Sequence, residues 1–198
     1  MGVKKINKLI YSILIILLIN TELLANPINF ISKLTSDASK ILASEETRDQ
    51  KMNNLILLAE ENVDIDGIGM YTLGKHRKNL SESQINEYKE LFRQYFLKSF
   101  SSRLSEYTDP KINVLSEKVI NEKYTIVFSV LEADDKRPEI KIDWRVYTIN
   151  PEKPLVRDLI IEGLSLARTQ REEFHSVIQN GDGNIEVLFN NLKEFIRS

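Results

Sequence analysis

Apolar residues recur every three or four positions between residues 27 and 62, a spacing typical of amphipathic helices. The stripe is interrupted at Glu45-Glu46-Thr47, which predicts two consecutive helices rather than one. The segment from Asp64 to Gly74 contains three glycines and is predicted to be turn-rich or loosely helical. A longer helix is predicted from Ser81 to Tyr107, because Ser81 and Gln84 have the spacing of a capping box.

After residue 111 the apolar period changes from 3.6 to 2, which predicts strands. Four strands are predicted, at residues 112–119, 124–130, 140–146 and 155–161. Helical spacing then returns at residues 171–179 and 185–196. Short turns between successive strands favour antiparallel pairing. The pattern therefore predicts an α+β domain, with an antiparallel sheet of about four strands and the N-terminal and C-terminal helices packed on one face.

Residues 1–25 have the layout of a secretory signal. Three lysines precede an apolar run from Leu9 to Ile19, which is shorter than the ~20 residues of a membrane-spanning helix. We expect cleavage after Ala25, a single domain over residues 26–198 and a periplasmic location; an uncleaved membrane anchor is the alternative. The chain has no cysteine, which excludes disulfides, thiolate metal sites and the modified cysteine of bacterial lipoproteins.

Charge and motifs narrow the possible chemistry. The formal net charge of −2 argues against nucleic acid as a partner. The sequence has no H-E-x-x-H, no phosphate-binding loop and no G-x-S-x-G, and His76 and His175 are interpreted as isolated surface residues. The segment 180–184 resembles a calcium loop, but Ile185 replaces the required glycine, so a turn with a helix N-cap is preferred. We therefore expect no enzyme activity, no cofactor and no metal.

Aromatic residues are abundant on one side of the predicted helix at 81–107 and along the predicted strands. The simpler interpretation of this abundance is a well-packed core. A cavity for an apolar ligand requires the same residue types, so the spacing alone leaves both interpretations open.

Two motifs resemble the MlaC, or toluene-tolerance, family, the soluble component of the Mla lipid-asymmetry system. The first is Tyr71-Thr72-Leu73-Gly74-Lys75, followed by a capped helix with Tyr and Phe at residues 81–95. The second is Val156-Arg157-Asp158-Leu159-Ile160-Ile161-Glu162-Gly163-Leu164-Ser165-Leu166, followed by Arg171 and Phe174. The sequence departs from the family where His76-Arg77 replaces a usual aromatic, and Pro154 and Arg157 also stand at positions that are often aromatic.

The resemblance implies a periplasmic phospholipid carrier with its lipid cavity between the sheet and the helices. It implies exchange of lipid with an inner-membrane ABC transporter complex and an outer-membrane lipoprotein complex, by a monomer that helps to maintain outer-membrane lipid asymmetry. One sheet face is expected to bear Phe128, Ile142, Trp144 and Val146. This face is expected to oppose Met70, Leu91 and Tyr95. The residues assigned to lipid binding are Met70, Leu73, Leu91, Phe92, Tyr95, Phe128, Val130, Ile142, Trp144, Val146, Ile161 and Leu164. The alternative from another class is a periplasmic, chaperone-like domain that binds protein or peptide.

Overall fold

The computed structural model describes residues 26–134 and 137–198, and the predicted signal at residues 1–25 lies outside this range. Within it the chain forms six α-helices, one 3₁₀ helix and five strands. The elements are α1 (Pro27–Ala43), α2 (Arg48–Asn62), α3 (Ile65–Leu73), the 3₁₀ helix (Gly74–Asn79), α4 (Glu82–Leu104), β1 (Ile112–Asn121), β2 (Tyr124–Leu131), β3 (Ile140–Tyr147), β4 (Leu155–Ile161), β5 (Leu164–Ser165), α5 (Leu166–Asn180) and α6 (Ile185–Arg197).

The helix starts are fixed by local capping. The predicted break before α2 is confirmed, because Thr47 caps that helix and forms a capping box with Gln50. The predicted capping box of α4 is also present: the Gln84 amide donates to Ser81 Oγ at 3.3 Å, and the Ser81 amide donates to Gln84 Oε1 at 3.0 Å. Helix α5 starts five residues earlier than predicted because Ser165 caps it.

The glycine-rich segment after α2 forms a nine-residue helix, α3, which is more regular than predicted. Asp64 caps its start by accepting a hydrogen bond from the Gly67 amide at 2.8 Å. Gly69 allows α3 to approach α4 closely, because a Cβ atom there would lie 2.7 Å from the Phe92 ring. The glycines of this segment therefore serve packing as well as turning.

The strands form one antiparallel meander in the order β1-β2-β3-β4-β5. The predicted α+β class is confirmed, with a fifth strand of two residues that the alternation did not reveal. In the central register Val127 pairs with Trp144, and Trp144 pairs with Leu159. Paired residues share a face of the sheet, so these three side chains lie together.

Two clusters of buried apolar side chains hold the elements together. The sheet core joins α1 to one face of the sheet and contains Ile31, Leu34, Val127, Val146 and Val156. The helical core lies among α2 to α6 and contains Ala59, Ile65, Ile68, Leu73, Tyr88, Leu91, Phe92, Leu97, Ala167, Phe174, Ile178, Ile185, Leu188, Phe189 and Leu192. Val63, at the end of α2, packs against both cores, and α6 packs on α4 and α5.

In the part of the chain that the structure describes, none of the helices is both long enough and apolar enough to cross a membrane.

Candidate functional site

The sheet face that packs on α1 is covered unevenly. Val127 and Val146 are completely buried where α1 crosses the sheet. On the same face, the neighbouring part of β3 and β4 carries apolar side chains that are only partly buried. We call these four the open row: Ile142, Trp144, Leu159 and Ile161. The open row is thus apolar surface on the inner side of the sheet that a ligand could reach.

Trp144 is held in place by a partly buried polar contact within the sheet. Its Nε1 donates to Ser129 Oγ at 2.9 Å, and Ser129 Oγ donates to the Ile142 carbonyl at 2.7 Å. The one polar atom of the indole is therefore satisfied, and the rest of the ring offers only apolar surface. Ser129 was missed by the sequence analysis, since its role depends on strand register.

Phe128 and Val130 do not lie beside Trp144, so the predicted grouping of Phe128 with Trp144 on one face is wrong. Phe128 pairs with Asp143, and Val130 pairs with Lys141. Both side chains therefore lie on the opposite face, among charged neighbours. The error has a physical reason: β2 is apolar at successive positions, and alternation cannot select a face when both faces are apolar.

The predicted helical site residues lie in the helical core rather than across from the open row. This set consists of Met70, Leu73, Leu91, Phe92 and Tyr95. The Tyr95 ring contacts Phe174 and Phe195, and its hydroxyl donates to Gln170 Oε1 at 2.8 Å. Burial raises the pKa of Tyr95. These contacts tie Tyr95 to α5 and α6, which is the environment of an ordinary core residue.

Leu164 is the first residue of β5, directly after the turn from β4, and it is 68% exposed. It pairs with Ile161, so the turn continues the open row to the edge of the sheet. Leu166, at the start of α5, is also exposed. Glu162 and Gly163 both have positive φ, which makes this reversal tight. We call Leu164 and Leu166 the apolar rim.

A family model for the MlaC protein matches residues 29–194. The chain belongs to the MlaC family. The resemblance found in the sequence is thereby confirmed. The structure is also similar to that of the phospholipid-binding protein from Ralstonia solanacearum in complex with a phospholipid. That match has 16% sequence identity and a TM-score of 0.71, and covers 85% of this chain and 95% of that chain. A comparison with curated proteins gave no match.

The contacts of Asp158 explain the second MlaC motif, at residues 156–166, in structural terms. This aspartate is 7% exposed, and its carboxylate accepts from Ser165 Oγ at 2.6 Å and from the Ala167 amide at 3.0 Å. The Arg145 guanidinium lies 3.7 Å away. The buried carboxylate of Asp158 is therefore compensated by hydrogen-bond donors and by a nearby cation. Because Asp158 lies in β4 and its donors lie at the start of α5, these bonds fix the angle between β4 and α5. The motif therefore positions the apolar rim.

A second polar contact joins the helical core to the sheet in this MlaC member. Arg157, in the bulge of β4, forms an ion pair with Asp64 at the start of α3. It also donates to the Tyr124 hydroxyl at 3.1 Å and stacks on the Tyr147 ring. The Asp64 amide donates to the Val156 carbonyl at 2.9 Å. These contacts link the two cores at the edge of the sheet.

The two histidines are in contact, so their interpretation as isolated residues is wrong. His76 Nε2 and His175 Nδ1 are 2.8 Å apart, although the residues are 99 positions apart in the sequence. Within residues 26–134 and 137–198, no group of three or more His, Asp or Glu side chains is arranged to hold a metal ion.

Proposed function

We propose that this protein is a periplasmic phospholipid carrier that holds acyl chains against the open row. The proposal rests mainly on one observation: the open row is only partly covered and continues into the exposed apolar rim. The chain that carries this surface is a member of the MlaC family. The bound phospholipid in the similar Ralstonia solanacearum protein supports the same ligand class. The N-terminal residues 1–25 supply the secretory signal in this proposal.

The energetics of lipid transfer require such a surface. Two acyl chains contain on the order of 30 methylenes, and each costs ~0.8 kcal/mol when exposed to water. A carrier must therefore provide apolar surface that replaces most of the apolar contact that the acyl chains had in the bilayer. The phosphate headgroup remains near solvent, because burying its charge without partners is costly.

The seam between the two cores gives the chains a route. The sheet core and the helical core share Val63, and Leu58 packs beside it. Leu58 and Val63 are both half-buried, so separating the two cores along this seam would sacrifice little packing. The Asp64–Arg157 pair keeps the ends of the two cores attached during such a movement. Acyl chains would enter at the apolar rim and lie along Ile142 and Trp144.

In this proposal the carrier does no covalent chemistry. It exchanges lipid with an inner-membrane ABC transporter complex and an outer-membrane lipoprotein complex, as its family implies.

Solvent extraction of the purified protein, followed by phospholipid quantification, tests the proposal. Trp144→Arg places a charge in the open row and should abolish lipid retention. Lys141→Glu is the matched control, because Lys141 is exposed on the opposite face and should tolerate the change. Wild-type protein that carries no phospholipid, even after incubation with phospholipid vesicles, would refute the carrier. Co-purification of a peptide instead would favour the chaperone-like alternative.

A further inference from the structure

A pocket lies between the end of α3, the 3₁₀ helix and α5, away from the open row. It is a pocket of about 240 Å³, and it contains none of the open-row residues. Its polar lining consists of Lys75, His76, Arg171, Glu172 and His175. Four of these five side chains are basic or able to become so, although the whole chain has a net charge of −2. The pocket is therefore a local concentration of positive charge on an acidic protein.

Arg171 lines this pocket from α5. Its guanidinium stacks on the Tyr71 ring at 5.1 Å and lies against Gly74, where a Cβ atom would be 2.8 Å from Arg171 Nε. No carboxylate within residues 26–134 and 137–198 pairs with Arg171. The nearby Glu172 is bonded instead to Arg168 at 2.9 Å. A guanidinium has five N–H donors, so Arg171 retains donors for a ligand.

His76 and His175 add imidazole N–H donors to the pocket, and the number of these donors depends on whether the rings are protonated. The hydrogen bond between His76 and His175 uses one nitrogen of each ring, which leaves one nitrogen of each ring for other partners. Burial, His175 and Lys75 lower the pKa of His76. The charged groups that line the pocket are Lys75 from the 3₁₀ helix and Arg171 and Glu172 from α5. A bound anion would oppose the influence of the two cations and favour a protonated imidazole.

We propose that this pocket binds a phosphate-type oxyanion, held by Arg171 and Lys75 and by N–H donors of the His76–His175 pair. Arginine forms paired hydrogen bonds to phosphate oxygens, and the small volume suits an anion rather than an acyl chain. Two sources share this chemistry: the phosphodiester of a phospholipid headgroup, which rests on the proposed function, and a free phosphate-type anion, which does not.

Sulfate is the probe for the first test, because its charge is constant between pH 5.5 and pH 8. Calorimetric titration of delipidated protein at fixed ionic strength should show one site per chain. Binding should be about five- to tenfold tighter at pH 5.5, since the anion raises the pKa of His76 and couples its own binding to proton uptake.

Variants separate the roles of the side chains. Arg171→Gln should weaken sulfate binding about tenfold or more at both pH values. His76→Gln should keep binding at pH 8 and lose most of its strengthening at low pH. Arg103→Gln removes an arginine from an exposed position on α4 and should change nothing. Circular dichroism confirms that each variant is folded. The proposal is overturned if wild type binds sulfate no more tightly than Arg171→Gln, or if His76→Gln keeps the full pH dependence.

Loading the protein with phosphatidylglycerol then identifies the source of the anion. If the headgroup occupies the pocket, loaded protein should lose sulfate binding; if a free anion is the ligand, loaded protein should bind sulfate as before. Failure of the carrier function would appear as protein that takes up no lipid, while the sulfate titration of delipidated protein would be unaffected. The two proposals are therefore tested by separate measurements.

Discussion

Matched truncations distinguish a residue that lines the lipid site from one that fills a core. Leu188, in the helical core, is 1% exposed. Leu188→Ala removes three carbon groups at ~0.8 kcal/mol each and leaves a cavity, so the expected loss of stability is about 3–4 kcal/mol. For a domain of this size that loss lowers the melting temperature by roughly 10 °C. The amount of phospholipid carried by the folded variant should not change.

Ile142→Ala should behave in the opposite way. Ile142 is only partly buried in the open row, so its truncation leaves little empty volume and costs about 1 kcal/mol. The lost methyl groups are those proposed to contact acyl chains, and the lipid content after purification should fall clearly. Tyr95→Ala is expected to resemble Leu188→Ala, because its ring and hydroxyl contacts lie within the helical core.

The assay is a pair of thermal melts, with and without lipid, run beside phospholipid quantification on each variant. Delipidated wild type should melt at a lower temperature than loaded wild type, because a ligand that binds only the folded state stabilises it. Ile142 does not line the lipid site if Ile142→Ala loses as much stability as Leu188→Ala while its lipid content stays at the wild-type level.

Two further outcomes are expected. Asp158→Ala leaves the Ser165 hydroxyl and the buried Ala167 amide without an acceptor, which should cost about 2–4 kcal/mol in urea unfolding. Asp158→Asn keeps one acceptor and should cost less; equal losses would contradict this explanation. N-terminal sequencing of periplasmic extract should begin at Asn26, and recovery only from washed membranes with Met1 retained would exclude cleavage.

Local signals in the sequence were sufficient for the elements and the family. A capping box needs only two residues three positions apart, so Ser81 and Gln84 located the start of α4 without knowledge of the fold. Strict alternation likewise located β3, because a strand places successive side chains on opposite faces wherever it lies. The motif at residues 156–166 indicated the MlaC family for a related reason: Asp158, Ser165 and Ala167 interact over a short stretch of chain.

Tertiary structure decided which apolar residues share a surface. The sequence pattern favoured Phe128 over Val127 as the neighbour of Trp144, and only pairing with β3 placed Val127 there instead. It also offered Tyr95 as a partner for the sheet, whereas packing among α4, α5 and α6 placed it in a separate core. The His76–His175 contact joins elements 99 residues apart. Periodicity reports the orientation of a residue within its own element, while register and packing between elements determine what that residue touches.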